Sequence, residues 1–233
     1  MLIKLINRYK SIGIITGSLL ITAVISFLAL PFLSRLYTVE NFGVYGLAIS
    51  IISVVSTISS LRLDQAILIA EDSEKASLLV SGMIIASLVS FICFISLSFF
   101  KPLYFCIAVA GGVFASSVFQ LFYAYNFSEG KEYYCGFLNL YRSSSLILAQ
   151  LTIPLFSNSS ELIYGLYVQS IFIIILSVGS AIYLFKNSNI YIGTIFNFKD
   201  FMLVNSPHAL LNSFSHNMPY YFISFFLGSK AVG

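Results

Sequence analysis

Pro31-Phe32-Leu33-Ser34-Arg35-Leu36-Tyr37-Thr38-Val39-Glu40-Asn41-Phe42-Gly43-Val44-Tyr45-Gly46 leads into an apolar run that closes on Ser60-Leu61-Arg62-Leu63-Asp64-Gln65. An apolar segment arrives from the N-terminal side, ends at Pro31 and gives way to a short polar elbow from Ser34 to Asn41. The chain re-enters at Gly43 as a second apolar segment, which finishes on an Arg and an Asp two residues apart. Two apolar segments, each long enough for a hydrocarbon core of about 30 Å and joined by so short a link, read as a hairpin of membrane-spanning helices.

Composition places the whole chain in the same class. Of 233 residues, 58% are hydrophobic and 9% charged, and the mean hydropathy is +0.93. A soluble domain carries about 25% charged residues, so this chain has too few to coat a water-facing surface. The expected fold is an all-α, polytopic transmembrane helix bundle. The formal net charge of +3 is small, and no basic, aromatic-interleaved face of the kind that binds nucleic acid is present. Cys93 and Cys106 lie in or at the edge of apolar runs and Cys135 in a polar link. Their spacing suggests neither a disulfide framework nor a metal site. No cofactor is expected. Met1 to Lys10 is basic, but the apolar run behind it exceeds the roughly 7–15 residues of a signal peptide, so it reads as an uncleaved first span.

Apolar runs and their breakers give seven spans: about Ile12–Leu33, Gly43–Leu61, Ser77–Phe100, Leu103–Tyr125, Gly136–Phe156, Leu162–Phe185 and Met202–Leu227. With the N-terminus in the cytoplasm, that side collects Lys4, Arg8, Lys10, Lys75, Lys131, Lys186 and Lys199. The other side collects Arg35, Lys101 and Lys230, an asymmetry that favours this orientation. Gly13 and Gly17 form a G-x-x-x-G, and Gly111-Gly112 with Ala115 and Ser116 give the fourth span a small face. Such faces let helices approach closely. A shift of 190 residues sets Phe32-Leu33-Ser34 on Phe222-Ile223-Ser224 and Gly43 on Gly233. The seventh span therefore reads as a second copy of the first, and internal repeats are a transporter signature.

Charges mark the candidate site. A charge inside a span costs about 2.5–3.5 kcal/mol on insertion scales, so such residues face a polar cavity or a partner. Arg62, with Asp64 beside it, either snorkels to lipid headgroups at the inner end of the second span or holds an anionic group in a cavity. Arg35 ends the first span and, with Tyr37, is an interface anchor or a second cationic contact. Arg142 lies deeper in the fifth span, a turn after Asn139. Gln120, Gln150 and Gln169 read as helix–helix hydrogen bonds. In the seventh span Asn205, His208, Asn212, His216 and Pro219 recur at three- and four-residue steps, which puts them on one stripe. That stripe is buried against neighbours or lines a water-filled cavity, where a His could titrate near neutrality. Pro207 and Pro219 are expected to kink or break the helix. No HExxH, Walker loop or GxSxG motif occurs, so no enzyme is expected.

Three stretches resemble the O-antigen and polysaccharide repeat-unit flippases (Wzx-type) of the multidrug/oligosaccharidyl-lipid/polysaccharide exporter superfamily. They are Pro31–Gly46, then Ser60-Leu61-Arg62-Leu63-Asp64-Gln65-Ala66-Ile67-Leu68, then Ser206–Pro219 followed by Leu227–Gly233. The resemblance implies two six-helix lobes around a central cavity, in the bacterial inner (cytoplasmic) membrane. It implies alternating-access movement of an undecaprenyl-diphosphate-linked oligosaccharide between leaflets, with membrane lipids around the protein and room for polysaccharide assembly proteins as partners. Arg35 and Arg62 stand in the matching motifs and carry over as substrate contacts. Arg142, His208 and His216, with Asp64 orienting Arg62, join them from helix position. Residues 1–200 correspond to the first lobe and 201–233 to the first span of a second, so the chain resembles an N-terminal portion. Three alternatives remain: a multidrug exporter of the same superfamily, an inactive truncated remnant, and a membrane enzyme of glycan assembly.

Overall fold

The computed structural model describes residues 2–156, 162–187 and 190–227. Every element among them is helical: α1 Leu2–Leu36, α2 Val39–Ser59, α3 Leu63–Ile69, α4 Asp72–Ser98, α5 Leu103–Ser128, α6 Glu132–Phe156 and α7 Tyr164–Asn187. A 3-10 turn, Ile192–Phe198, then leads into α8, Lys199–Leu227. Each of the seven apolar segments falls on a helix. Four of these helices are long and apolar enough to cross a membrane: α1 from Gly13, α2, α4 and α5. The other three segments form helices as well, but Asn139, Arg142 and three serines dilute α6, and a polar stripe dilutes α8.

The opening hairpin is tighter than its sequence suggests. Pro31 does not end α1, which continues to Leu36. A proline inside a membrane helix removes one N–H but need not stop the helix. The elbow shrinks to Tyr37 and Thr38, and α2 starts at Val39 rather than Gly43. Thr38 caps α2 by accepting a hydrogen bond from the Asn41 N–H (3.4 Å), which satisfies one of the free amides of a first helical turn. Pro207 and Pro219 likewise lie inside α8 without ending it.

A second departure follows α2. Leu61 and Arg62 take left-handed backbone conformations, with φ of 50° and 59°, and the chain turns into the short α3. For residues with side chains such a conformation costs on the order of 1 kcal/mol or more. Burial of Leu63, Ala66 and Ile67, all inaccessible to solvent, offsets it. Their i, i+3, i+4 spacing makes one helical face, packed on Leu78, Leu79, Leu121 and Phe122 of α4 and α5.

Helix α5 is the centre of the bundle: 72% of its most apolar stretch is buried, against 11% for α1. It touches α2, α3, α4, α6 and α7. At Gly112 a Cβ would strike the Ile52 side chain of α2, so any larger residue there must displace Ile52. Among the described residues Gly13 and Gly17 serve no such contact, because nothing lies within 4 Å of a Cβ at either. Cys135, expected in a link, is fully buried in α6, and all three cysteines are free thiols.

The two ends of the bundle are tied differently. At one end Lys75, almost fully buried, joins α4 to α5. Its Nζ lies 2.6 Å from Asp72 Oδ1, 3.3 Å from the Ser128 carbonyl and 3.6 Å from Glu129 Oε1. The 3-10 turn docks at that end through Asn197 Nδ2 to Glu74 Oε1 (3.1 Å) and Tyr191 N to Ser77 Oγ (3.0 Å). At the other end, tyrosine hydroxyls donate to backbone carbonyls: Tyr37 to Gln150 (2.6 Å) and Tyr167 to Tyr104. The expected boundary at residue 200 falls in the first turn of α8, and α8 packs along α2.

Candidate functional site

The contact between α2 and α8 is polar where most of the bundle is apolar. Ser213 Oγ donates to the Ser53 carbonyl, Asn217 Nδ2 to Ser53 Oγ and Thr57 Oγ1 to Ser213 Oγ, each at 3.3 Å. The helices run antiparallel, with Ser53 near Asn217 and Thr57 near Ser213. Carried onward, the same register faces Arg62 and Gln65 toward His208 and Asn205. There the helices part around a cavity of about 440 Å³. Arg62, Gln65 and Thr57 form one wall, and Asn205, His208, Asn212 and His216 the other. Of the expected stripe, Asn205, His208, Asn212 and His216 line this cavity, with His208, Asn212 and His216 exposed, and Pro219 does not line it.

Arg62 also lines a second cavity. This lateral space of about 590 Å³ lies among α1, α3, α5 and α6. Ile15, Leu19, Leu68 and Phe127 make its apolar side, and Gln120, Tyr123 and Asn139 a polar patch on α5 and α6. Thr57, Arg62 and Gln65 belong to both cavities. Both volumes fall within the roughly 300–1,000 Å³ of ligand pockets.

The left-handed turn at Arg62 puts its side chain on this shared wall. Its Nη1 is 4.0 Å from Asp64 Oδ2, with both side chains largely buried. That spacing allows Coulomb attraction but no hydrogen bond. Among the described residues, Arg62 Nε is buried and has no hydrogen-bond partner. Burial pushes the Asp64 carboxyl up from its ordinary value, and the Arg62 guanidinium pulls against that shift. A guanidinium has five fixed donors, and the Arg62 side chain keeps about a fifth of its surface accessible.

The remaining sequence candidates are placed elsewhere. Arg35 is exposed at the last turn of α1 and lines neither cavity. It stands beyond the opposite end of α2 from Arg62, about 30 Å away along a 21-residue helix. Arg142 packs its guanidinium carbon 4.7 Å from the Phe119 ring centroid, a cation–π contact. The cleft beside it has room for about 20 Å³, little more than one water. Gln169 Nε2 bonds the Arg142 carbonyl (3.1 Å), a helix–helix link as its sequence suggests. Ser53, Thr57, Gln65 and Tyr123 were not legible as site residues. The one available signal was the four-residue step from Ser53 to Thr57 on an apolar helix.

No family model matches the chain, and neither a curated protein nor a solved structure matches it significantly.

Proposed function

We propose that this chain belongs to a flippase that moves an undecaprenyl-diphosphate-linked oligosaccharide across a bacterial inner membrane. On this reading seven spans cross the bilayer with the N-terminus in the cytoplasm. Residues 1–200 form one lobe and 201–233 open a second, and the lobes rock to expose the chamber alternately to each side. The observation that carries the proposal is Arg62, a largely buried cation that lines the polar groove between α2 and α8 together with Asn205, His208, Asn212 and His216. A diphosphate is the natural counter-charge for a guanidinium, whose planar fork matches phosphate oxygens. The Asn and His side chains of α8 offer the neutral donors and acceptors that sugar hydroxyls need. No covalent bond is made or broken.

Arrival of lipid-linked oligosaccharide in the outer leaflet of cells expressing the protein tests this reading. Arg62→Ala is expected to reduce transport at least about tenfold, the scale of losing a charge-assisted hydrogen bond, and Arg62→Lys to retain part of it. Undiminished transport by Arg62→Ala would remove the residue from the site.

One observation favours a second reading, a multidrug exporter. The lining of the lateral cavity includes both a carboxylate, Asp64, and the aromatic rings of Phe119, Tyr123 and Phe127, the two kinds of group that attract an organic cation. Efflux of a fluorescent lipophilic cation that disappears in Asp64→Asn would support it over lipid transport.

A further inference from the structure

Among the described residues, α8 is fastened on both sides of the α2–α8 groove, and the two fastenings differ. Toward its C-terminal half, Ser213 and Asn217 donate part-buried hydrogen bonds to Ser53 of α2. At its N-terminal end the fastening is made with the linker that precedes it. Ile195 and Phe198 of the linker, with Phe201 and Met202 of α8, pack on the buried cluster that α3 and α4 share. Two hydrogen bonds tie the linker to α4: the Tyr191 N–H to Ser77 Oγ at 3.0 Å and Asn197 Nδ2 to Glu74 Oε1 at 3.1 Å. The buried Thr194 turns its hydroxyl back onto the Tyr191 carbonyl at 2.7 Å, so the linker also closes on itself. The bond from Asn197 to Glu74 is exposed, where water competes for both partners. One turn into α8, Pro207 interrupts the helical hydrogen bonds, and a helix bends most readily at such a residue.

We propose that residues 190–198 are a latch, which pins the N-terminal end of α8 to α3 and α4 and holds that end of the groove closed. When it releases, residues 199–206 swing out about Pro207 while the rest of α8 stays bonded to Ser53. The groove then widens on the side of Asn205, which lines it. Apolar packing alone would let the linker slide on the cluster, because it has no direction. The two hydrogen bonds to α4 fix its position, and the exposed one is the point at which the latch gives way. Between Asn187 at the end of α7 and Lys199 at the start of α8, a connection that only joined two helices would need neither bond. The device works for whatever the groove binds, so it stands apart from the transport reading.

Alkylation by N-ethylmaleimide, read peptide by peptide on the full chain in lipid nanodiscs, tests the latch. Ser206→Cys sets a thiol in the swinging segment at a position only 8% exposed, and Met202→Cys is a second reporter where the first does not fold. The native Cys106 and Cys135, both fully buried in α5 and α6, are internal controls. Asn197→Asp puts a second carboxylate against Glu74, and like charges repel. It should speed alkylation of the introduced thiol several-fold and leave Cys106 and Cys135 unchanged. Adding Glu74→Gln restores a donor and an acceptor with their places exchanged, and should return the slow rate. Ser77→Ala removes the other bond and should raise the rate about fivefold, the scale of one net hydrogen bond. An unchanged rate in both Asn197→Asp and Ser77→Ala would overturn the latch. A parallel rise at Cys135 would also overturn it, since the whole bundle would then have loosened. Failure of Glu74→Gln to reverse the effect would do the same, because the added charge would be acting elsewhere.

Discussion

The Tyr37 hydroxyl donates to the Gln150 carbonyl at 2.6 Å, and that carbonyl is the one Pro154 leaves without its helical N–H, four residues on in α6. A proline inside a helix frees the carbonyl one turn before it. In an apolar bundle an unpaired carbonyl is costly. The elbow of the first hairpin supplies the missing donor, so the fold of α1 and α2 is locked to a defect in α6, 113 residues away. Tyr37 is buried with only 6% of its surface exposed, which keeps water from competing. Tyr37→Phe should cost about 1–3 kcal/mol, read as a lower Tm in detergent. In a Pro154→Ala background the restored N–H can take the carbonyl, so Tyr37→Phe should cost clearly less. Equal costs in both backgrounds would show that the proline is irrelevant to the bond.

Lys75 makes a second prediction at the other end of the bundle. Its side chain is almost fully buried between α4 and the end of α5, and its ammonium faces two carboxylates and a carbonyl. Asp72 is nine-tenths exposed, so water already screens it, whereas Glu129 is two-thirds buried. Lys75→Met keeps the stem packing and removes the charge. A loss of about 2 kcal/mol is expected, the scale of a hydrogen bond to a charged group. Asp72→Asn should cost well under half of that. Thermal unfolding of the two variants side by side decides the order, and a larger effect at Asp72 would contradict it.

Apolar runs long enough to cross a bilayer were sufficient to locate every long helix, because length and continuity are one-dimensional properties. The helix ends were less legible. Pro31 looks like a terminator, yet a membrane helix tolerates it. Helix α3 is not legible in the sequence because it has only seven residues and packs by burial of Leu63, Ala66 and Ile67 against α4 and α5. No local propensity announces left-handed Leu61 and Arg62. Arg62 itself was legible as a charge at the end of an apolar run, as were His208 and His216 from their period on α8. Arg35 carries the same kind of signal but stands exposed at the other end of the hairpin, because sequence shows that a charge ends a helix and not which way it points. The Gly13–Gly17 spacing matched a packing motif, whereas the close approach is at Gly112.

Gly112 gives a third prediction. A Cβ there would meet Ile52 where α5 crosses α2, and Ile52 and Val113 belong to the same buried cluster. Gly112→Val should destabilise by about 1–3 kcal/mol, the usual cost of overpacking a filled core. Ile52→Ala alone should also destabilise, through the cavity it leaves. Combined, the two should cost less than their sum, because the new methyls enter the space that Ile52 vacates. Strict additivity in a double-mutant cycle would mean that the two side chains do not compete for that space.

Asp64 makes the last prediction, and here the sign of the pH dependence is the test. Burial raises its carboxyl above the ordinary 3.8, more than the neighbouring Arg62 lowers it. The folded protein therefore holds this proton more tightly than the unfolded chain. Stability is greatest below the ordinary carboxyl value, declines as pH rises through the window up to the raised one, and is level above it. Asp64→Asn stays neutral throughout and lacks that decline. The Tm difference, variant minus wild type, should thus grow with pH across the window, measured from about pH 3 to about pH 8. A difference that is flat or shrinks with pH would mean that Asp64 is stabilised as the anion by Arg62 more than burial disfavours it. The same substitution removes the carboxylate 4.0 Å from Arg62. Pyrophosphate binding should then strengthen several-fold, as a guanidinium relieved of its acidic neighbour attracts a phosphate more strongly. Weaker binding would instead make Asp64 the residue that holds Arg62 in place for the anion.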